Sequence, residues 1–438
     1  MQHNIKSVII TFLFGLLLPT VSFAGLEVAS DGGLQVGSTD GPYWFNLSGV
    51  LKVDERTYAG NTQTTASGLG TVGTYIGGAF IRDMGITFEG GVGENYSYNL
   101  GLDIDANSNQ TKVDLAYVTY YGFNYLMPNL SFSAGQVASG FCLSCADSSK
   151  WIPFMERSMG TNVFGPQPGI GFNANSYSDH YSATVAVTQQ PKSGNSIKSV
   201  YGVNLKTHDL WQAAGRFTFA PISEPGKVLQ LGFSAHIQEY ANNGLQFRAI
   251  PEMRSNNSTT LLNTTTYYTS SQSATGPSGQ LMIAALNQKT VDVEMLGIYG
   301  PWSGELEYQE AYIARGSVND VKQGPNLNFC GFHAQASYII AGAPYRPLKK
   351  ANGTLGQIKP KSKYGAWEVS GRYSFITLDD QDISGGRAYN TTASLSWYAN
   401  NNLRVIGEYV FSLQRRNFPT YFDKRHVSGI GARLQLVF

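Results

Sequence analysis

The sequence predicts an all-β fold: a 16-stranded antiparallel transmembrane β-barrel with long extracellular loops, one of them folded into the lumen. Three observations predict it. The last stretch, Arg425 to Phe438, has the period of a strand with one greasy and one wet side. Ile430, Ala432, Leu434, Leu436 and Phe438 share one face, and Gly429, Gly431, Arg433 and Gln435 the other. The same alternation recurs along the chain, and a terminal strand that meets the first leaves no edge in lipid. The composition agrees: 49 Gly, 26 Tyr and 23 Phe, but only 14% charged residues. Few charges and many aromatics suit lipid-facing surfaces and aromatic girdles. No 18-residue apolar run follows the N-terminus, which excludes helical membrane spans.

In chain order, residues 1–24 read as a secretory signal. Lys6 is its basic region, Val8 to Leu18 its apolar core, and Ser22-Phe23-Ala24 a small-x-small cleavage site. Without it, Lys+Arg falls by one from 31 to 30, against 30 Asp+Glu. A neutral chain gives no support for nucleic-acid binding, which needs a basic surplus. Residues 25–42 form a Gly- and Asp-rich lead, and the barrel spans 43–438.

Strands are predicted near 43–53, 80–90, 96–105, 112–121, 130–137, 168–177, 180–188, 210–220, 228–239, 289–299, 304–314, 329–340, 364–378, 388–399, 402–413 and 426–438. A seventeenth at 201–206 is left in a loop, since single-chain bacterial barrels have even strand numbers. Connections 54–79, 138–167, 189–209, 240–288 and 315–328 are long and alternate with tight turns. The segment 341–363 falls on the short-turn side yet exceeds twenty residues. It is either a long periplasmic turn or a slip of parity. Loop 240–288 is rich in Ser, Thr and Asn, which predicts mobility.

Sixteen strands enclose an aqueous lumen, and something must narrow it. The segment 138–167 is the candidate constriction. It holds Phe141, Cys142, Cys145, Ser148, Ser149, Lys150, Trp151, Glu156 and Arg157, more aromatic and charged residues than an exposed loop needs. The competing reading packs it outside, as a lid or subunit contact. Cys142 and Cys145 form a C-x-x-C that predicts a local disulfide in an exported chain, against free thiols. No His pair stands at metal spacing, and nothing calls for a metal or cofactor. No G-x-S-x-G or supported His points to an enzyme.

Inward parity gives Lys52, Lys112, Arg216, Arg372, Arg404 and Arg433 as cations. It gives Asp83, Glu89, Asp103, Asp105, Asp114, Glu368 and Glu408 as anions, a mixed wall. Each Arg is either a rung that a passing anion touches or a structural pair with a carboxylate across the wall. Glu368 and Arg372 lie on one face of one strand, so each needs a cross-strand partner. His236 and His333 read as polar wall fillers.

Several runs resemble the phosphate-selective porin O and P family. They are Ser148 to Ser158, Gly300 to Gln309, Lys359 to Glu368, and Gly385 to Asn390 leading to Ser396-Trp397-Tyr398. The resemblance spans about 78 to 438. It implies a 16-stranded outer-membrane porin of a Gram-negative bacterium, usually a homotrimer, set in outer-membrane lipid and passing small polar or anionic solutes through a basic, narrowed lumen. Ser148, Ser149 and Lys150, which match the family's loop, and Asp83, Arg216, Arg372 and Arg433, which parity turns inward, are the candidate constriction and solute-binding residues. Two departures touch anion selectivity. The family's arginine pair on the second strand aligns with Arg82-Asp83, and parity turns 83 inward, not 82. The basic residue expected after Gly135-Gln136 is missing, with Ala138 in its place. Cys142 stands where the family usually has Gly. A structural or adhesive barrel whose long loops bind a partner is the alternative function, and conductance separates the two.

Overall fold

The computed structural model describes residues 26–29, 33–38, 41–60, 75–105, 110–189, 210–240, 244–255, 261–264, 266–267, 280–318, 321–417 and 422–438. The signal segment, the stretch 201–206 and most of loop 189–209 lie outside the described residues.

Sixteen antiparallel strands close the barrel. They are β1 (Tyr43–Gly60), β2 (Gly78–Val92), β3 (Tyr96–Asp105), β4 (Gln110–Tyr120), β5 (Ser131–Val137), β6 (Gly169–Tyr177), β7 (Tyr181–Gln189) and β8 (Trp211–Glu224). Then come β9 (Lys227–Glu239), β10 (Ile283–Tyr299), β11 (Trp302–Arg315), β12 (Leu327–Ala341), β13 (Ala366–Asp380), β14 (Ile383–Tyr398), β15 (Leu403–Asn417) and β16 (Phe422–Val437). Each pairs with its sequence neighbour, and β16 pairs with β1 from Val437↔Val50 to Val427↔Gly60. The predicted strands all exist. Several run further toward the loop rim, as β1 does past Val53 and β10 does before Lys289.

The seam is tight at its end. Gly49 N–H donates to Phe438 O at 2.6 Å, and a Cβ on Gly49 would meet the Phe438 ring at 2.5 Å. Below that point β16 leaves part of β1 unpaired. Two strands of the lead, Leu26–Ala29 and Leu34–Ser38, cover that part as an antiparallel pair, the second pairing with β1 from Leu34↔Leu47 to Gly37↔Trp44. Backbone groups with no water to bond must pair, which accounts for the cover.

The wall is apolar outside and polar inside. Phe217, Leu231, Val293, Ile430 and Leu434 are exposed, while the alternate Arg216, Gln230, Asp292 and Arg433 are buried. Exposed Tyr43, Tyr96, Tyr125, Tyr299, Trp302 and Tyr364 ring the short-turn rim as an aromatic girdle.

Three connections carry structure of their own. The segment after β5 holds two short helices, α1 (Leu143–Ala146) and α2 (Met159–Phe164). Within 240–288, residues 244–255 and 261–264 pack on the wall, where Phe247 and Leu262 join Met159, Phe164, Ile313 and Phe329 in one apolar cluster. Most of the Ser, Thr and Asn on which the expected mobility of 240–288 rests lie outside the described residues. The apolar residues Phe247 and Leu262 have a partner surface, because the inner faces of β10 to β14 turn apolar near the loop rim, as Ala311, Ile313 and Ile376 do. The segment 342–365 is a long turn on the short-turn side, and parity holds through it. Its Leu348–Lys349 and Thr354–Leu355 pair as a small hairpin.

Candidate functional site

The β1–β2 ladder decides where the first charges go. Lys52 pairs with Asp83, but Val53 pairs with Ile81, so Arg82 is an extra residue in a bulge. A bulge breaks the alternation, and both side chains reach the inner-face charges. Asp83 accepts from Lys52 Nζ at 2.7 Å. Arg82 forks onto Glu156 at 2.7 and 2.8 Å. Parity alone turned only 83 inward.

Glu156, from the segment 138–167, is the centre of the cluster. Arg56 also donates to it, at 2.9 Å, and Arg433 lies at 3.7 Å. Burial would raise its pKa, but the guanidiniums of Arg82, Arg56 and Arg433 hold it well below the usual carboxylate range. Asp54 takes a fork from Arg433 at 2.7 and 2.8 Å and a further bond from Arg56. Ser149 accepts from Lys52 at 2.9 Å. Ser148 Oγ accepts from the Lys150 backbone N–H at 3.4 Å.

The remaining arginines are also paired. Arg372 meets Glu252 of the 244–255 stretch at 2.7 Å, stacks over Phe154 at 4.3 Å and donates to Glu156 O. Glu252 further accepts from Thr392, Ser374 and the Met159 N–H. Arg216 forks onto Glu294 two strands away, at 3.0 and 2.6 Å, and donates to the carbonyls of Asn352 and Gly353. Arg346 of the long turn forks onto Glu368 at 2.7 and 2.6 Å. The partners of Glu368 and Arg372 therefore come from inserted segments, not from the neighbouring strands that parity called for. Arg404 meets no carboxylate among the described residues. It donates to Ile152 O and Pro153 O and lies over the Tyr398 ring.

These bonds fasten the segment 138–167 to the polar face of β1, β2, β11, β13, β15 and β16. Met155 N–H donates to Glu408 at 2.7 Å, Ser144 N–H to Glu307 at 2.9 Å, and Gln435 to Lys150 O at 2.8 Å. Gly429 and Gly431 lack the side chains that would strike Met253 and Met155. Arg157 closes α1 by donating to Ser144 O and Asp147 O. A disulfide joins Cys142 and Cys145, whose Cα atoms are 5.2 Å apart. Cys142 has a φ of 43°, a conformation that glycine adopts freely and that costs another residue about 1–3 kcal/mol.

The wall divides into two sectors. On β8 to β16 most inner polar side chains are buried, many of them in contact with 138–167, Glu252 or the turn 342–365; Arg372 is 5% exposed and Asp292 0%. On β2 to β6 water reaches the inner positions. Asp83 keeps 23% and Arg82 26% of side-chain exposure; Glu89, Asn99, Asp103, Asn173 and Asn175 are half-buried, and Lys112 and Asp114 exposed. Lys150 borders this open sector. Its ammonium has no carboxylate within 4.0 Å among the described residues, and Glu89, Asp83 and Asp114 are the carboxylates that act on it.

The predicted site residues thus separate. Asp83, Ser148, Ser149, Lys150 and Arg433 gather around Glu156 and Lys52, while Arg372 lies against Glu252 and Arg216 against Glu294. Sequence reasoning missed Asp54, Arg56 and Glu156 as a cluster. The alternation Lys52, Asp54, Arg56 was the available signal, and it was lost when the strand was ended at Val53. Glu252 and Arg346 carried no periodic signal.

A closed barrel with an apolar belt, a polar lining and a water-reached sector is an outer-membrane channel. The chain belongs to the phosphate-selective porin O and P family, which matches residues 75–438. It is 25% identical to Porin O of Pseudomonas aeruginosa over 410 residues, 89% of this chain and 88% of that protein. Among solved structures, the outer membrane channel DcaP of Acinetobacter baumannii shares the fold at 13% identity and a TM-score of 0.53, over 92% of this chain and 99% of that one. An anion-selective porin from Comamonas acidovorans does so at 10% identity and a TM-score of 0.52, over 90% and 100%. Family and fold place the chain in the outer membrane of a Gram-negative bacterium.

Proposed function

We propose that this porin is a weakly ion-selective diffusion channel, with its water path between the segment 138–167 and the inner faces of β2 to β6. The segment 138–167 is the constriction. Lys150 is the cation a passing solute touches, and Ser149 is already engaged by Lys52. One observation carries the reading: the inward arginines do not form a free cationic ladder. Arg56, Arg82, Arg216, Arg346, Arg372 and Arg433 each hold a carboxylate. An arginine bound in that way offers a passing anion little. Along the open sector Lys112, Lys150 and Arg157 stand against Glu89, Asp103 and Asp114, and the signs balance.

The chain works as a homotrimer after cleavage behind Ala24. Family membership and the trimer form of OmpT from Vibrio cholerae, at 9% identity and a TM-score of 0.51, support the assembly. The reversal potential of purified protein in a planar bilayer tests the selectivity. Across a tenfold KCl gradient an ideally selective pore develops about 59 mV. The expected value is a small fraction of that. A potential near the ideal anion value overturns the proposal, and absence of conductance overturns the channel.

A further inference from the structure

We propose that the constriction is two-signed and prefers small solutes that carry both charges, such as amino acids, over neutral or singly charged solutes of equal size. The inference rests on the diffusion-channel reading above and names its substrate class.

The two sides of the open sector bear opposite charge. On the segment 138–167, Lys150 presents an ammonium with no ion-pair partner among the described residues. Arg157 spends its Nε and one terminal nitrogen on carbonyls, at 2.8 and 2.7 Å, which leaves its charge in place. On the wall, Glu89 is oriented by Asn99 at 2.9 Å, a neutral donor. Asp114 is exposed, and the charges acting on it are Asp83, Arg157 and Lys150. These cations and carboxylates act on one another, and among the described residues no salt bridge joins them, so they stand more than 4.0 Å apart. Elsewhere in the interior, opposite charges have closed to contact, as at Arg82–Glu156 and Arg372–Glu252.

Asp83 adds little to the field because Lys52 neutralises it at 2.7 Å. The segment is held to this side of the wall beside both cations: Ser149, next to Lys150, accepts from Lys52, the ladder partner of Asp83 on the strand that carries Glu89, and Glu156, next to Arg157, accepts from Arg82 of the same strand. A solute with an ammonium and a carboxylate can meet both sides at once: its carboxylate toward Lys150, its ammonium toward Glu89 and Asp114. In a narrow path, where the effective dielectric is below that of water, each such meeting is worth more than in bulk. An anion is drawn by one side and repelled by the other, and an uncharged solute gains from neither.

Liposome swelling with three solutes of matched size tests this: alanine, lactamide and lactate. The expected result is alanine entry several-fold faster than lactamide, with lactate no faster than alanine. The double substitution Lys150→Gln/Asp114→Asn should bring alanine and lactamide to the same rate. The charge exchange Lys150→Glu/Asp114→Lys should restore the preference, which loss of packing alone would not. Equal alanine and lactamide rates in the unaltered protein overturn the inference while leaving the diffusion channel standing. Lactate entering fastest overturns it in favour of an anion path. Entry of none of the three overturns the channel reading and this inference with it.

Discussion

Glu156→Gln is the substitution the site is most sensitive to. Glu156 receives two bonds from Arg82 and one from Arg56, and Arg433 lies 3.7 Å away. Hydrogen bonds to charged groups contribute about 1.5–3 kcal/mol each, which bounds the loss at about 9 kcal/mol. Glutamine keeps one acceptor oxygen, and measured losses for breaking a buried ion pair are about 3–5 kcal/mol. We take the latter as the loss in docking the segment 138–167. At 1.4 kcal/mol per tenfold, that lowers its docked-to-undocked ratio by about a hundredfold to a few thousandfold. Removing one negative charge also frees Arg82, which already has 26% of its side chain exposed. Single-channel recording should show a noisier current and a reversal potential displaced toward anions. Conductance, noise and selectivity all equal to those of the unaltered protein would refute the assignment of Glu156 as the charge that holds the segment down.

Other outcomes follow from the same contacts. Glu252→Ala leaves Arg372 buried without its carboxylate, at about 3–5 kcal/mol, and limited proteolysis should cut the 244–255 stretch faster. Asp147 has its pKa raised by burial to about 6, against the opposing pull of Arg346 and Arg157. Its neutral form is favoured in the folded protein, so its contribution to docking is full below pH about 4 and is lost as pH rises through about 6. Lowering pH from 7.5 to 5 should shift selectivity toward anions and quiet the current, and Asp147→Asn should flatten that response. Gly49→Val would drive a side chain into the Phe438 ring at the barrel seam, and the heating midpoint on a semi-native gel should fall.

The barrel was legible because period-two alternation follows directly from a wall with lipid on one side. Closure by the last strand was legible for the same reason, since an open edge cannot stand in lipid. The interior was not, because its rules are not periodic. Arg82 reaches inward only through a bulge that no residue type announces. Glu252 and Arg346 are single charges in segments that look like loops, and their meaning lies in Arg372 and Glu368, more than 20 residues away in sequence. One clue was present: β11 reads Glu305, Glu307, Gln309 and then Ala311, Ile313 on its inner face. A lining that turns apolar needs something packed against it, and that something is Leu245, Phe247, Ala249, Leu261 and Leu262 together with α2.

The placement of the water path is tested most directly by the reaction of single introduced cysteines with a charged methanethiosulfonate reagent during single-channel recording. Asp114→Cys lies on the open sector and Ser374→Cys on the inner face of β13 beneath Glu252, with the unaltered protein as control for Cys330. The account predicts a stepwise fall in current for Asp114→Cys and none for Ser374→Cys. A block at Ser374→Cys with Asp114→Cys silent would place the path on the other side of the barrel and contradict it.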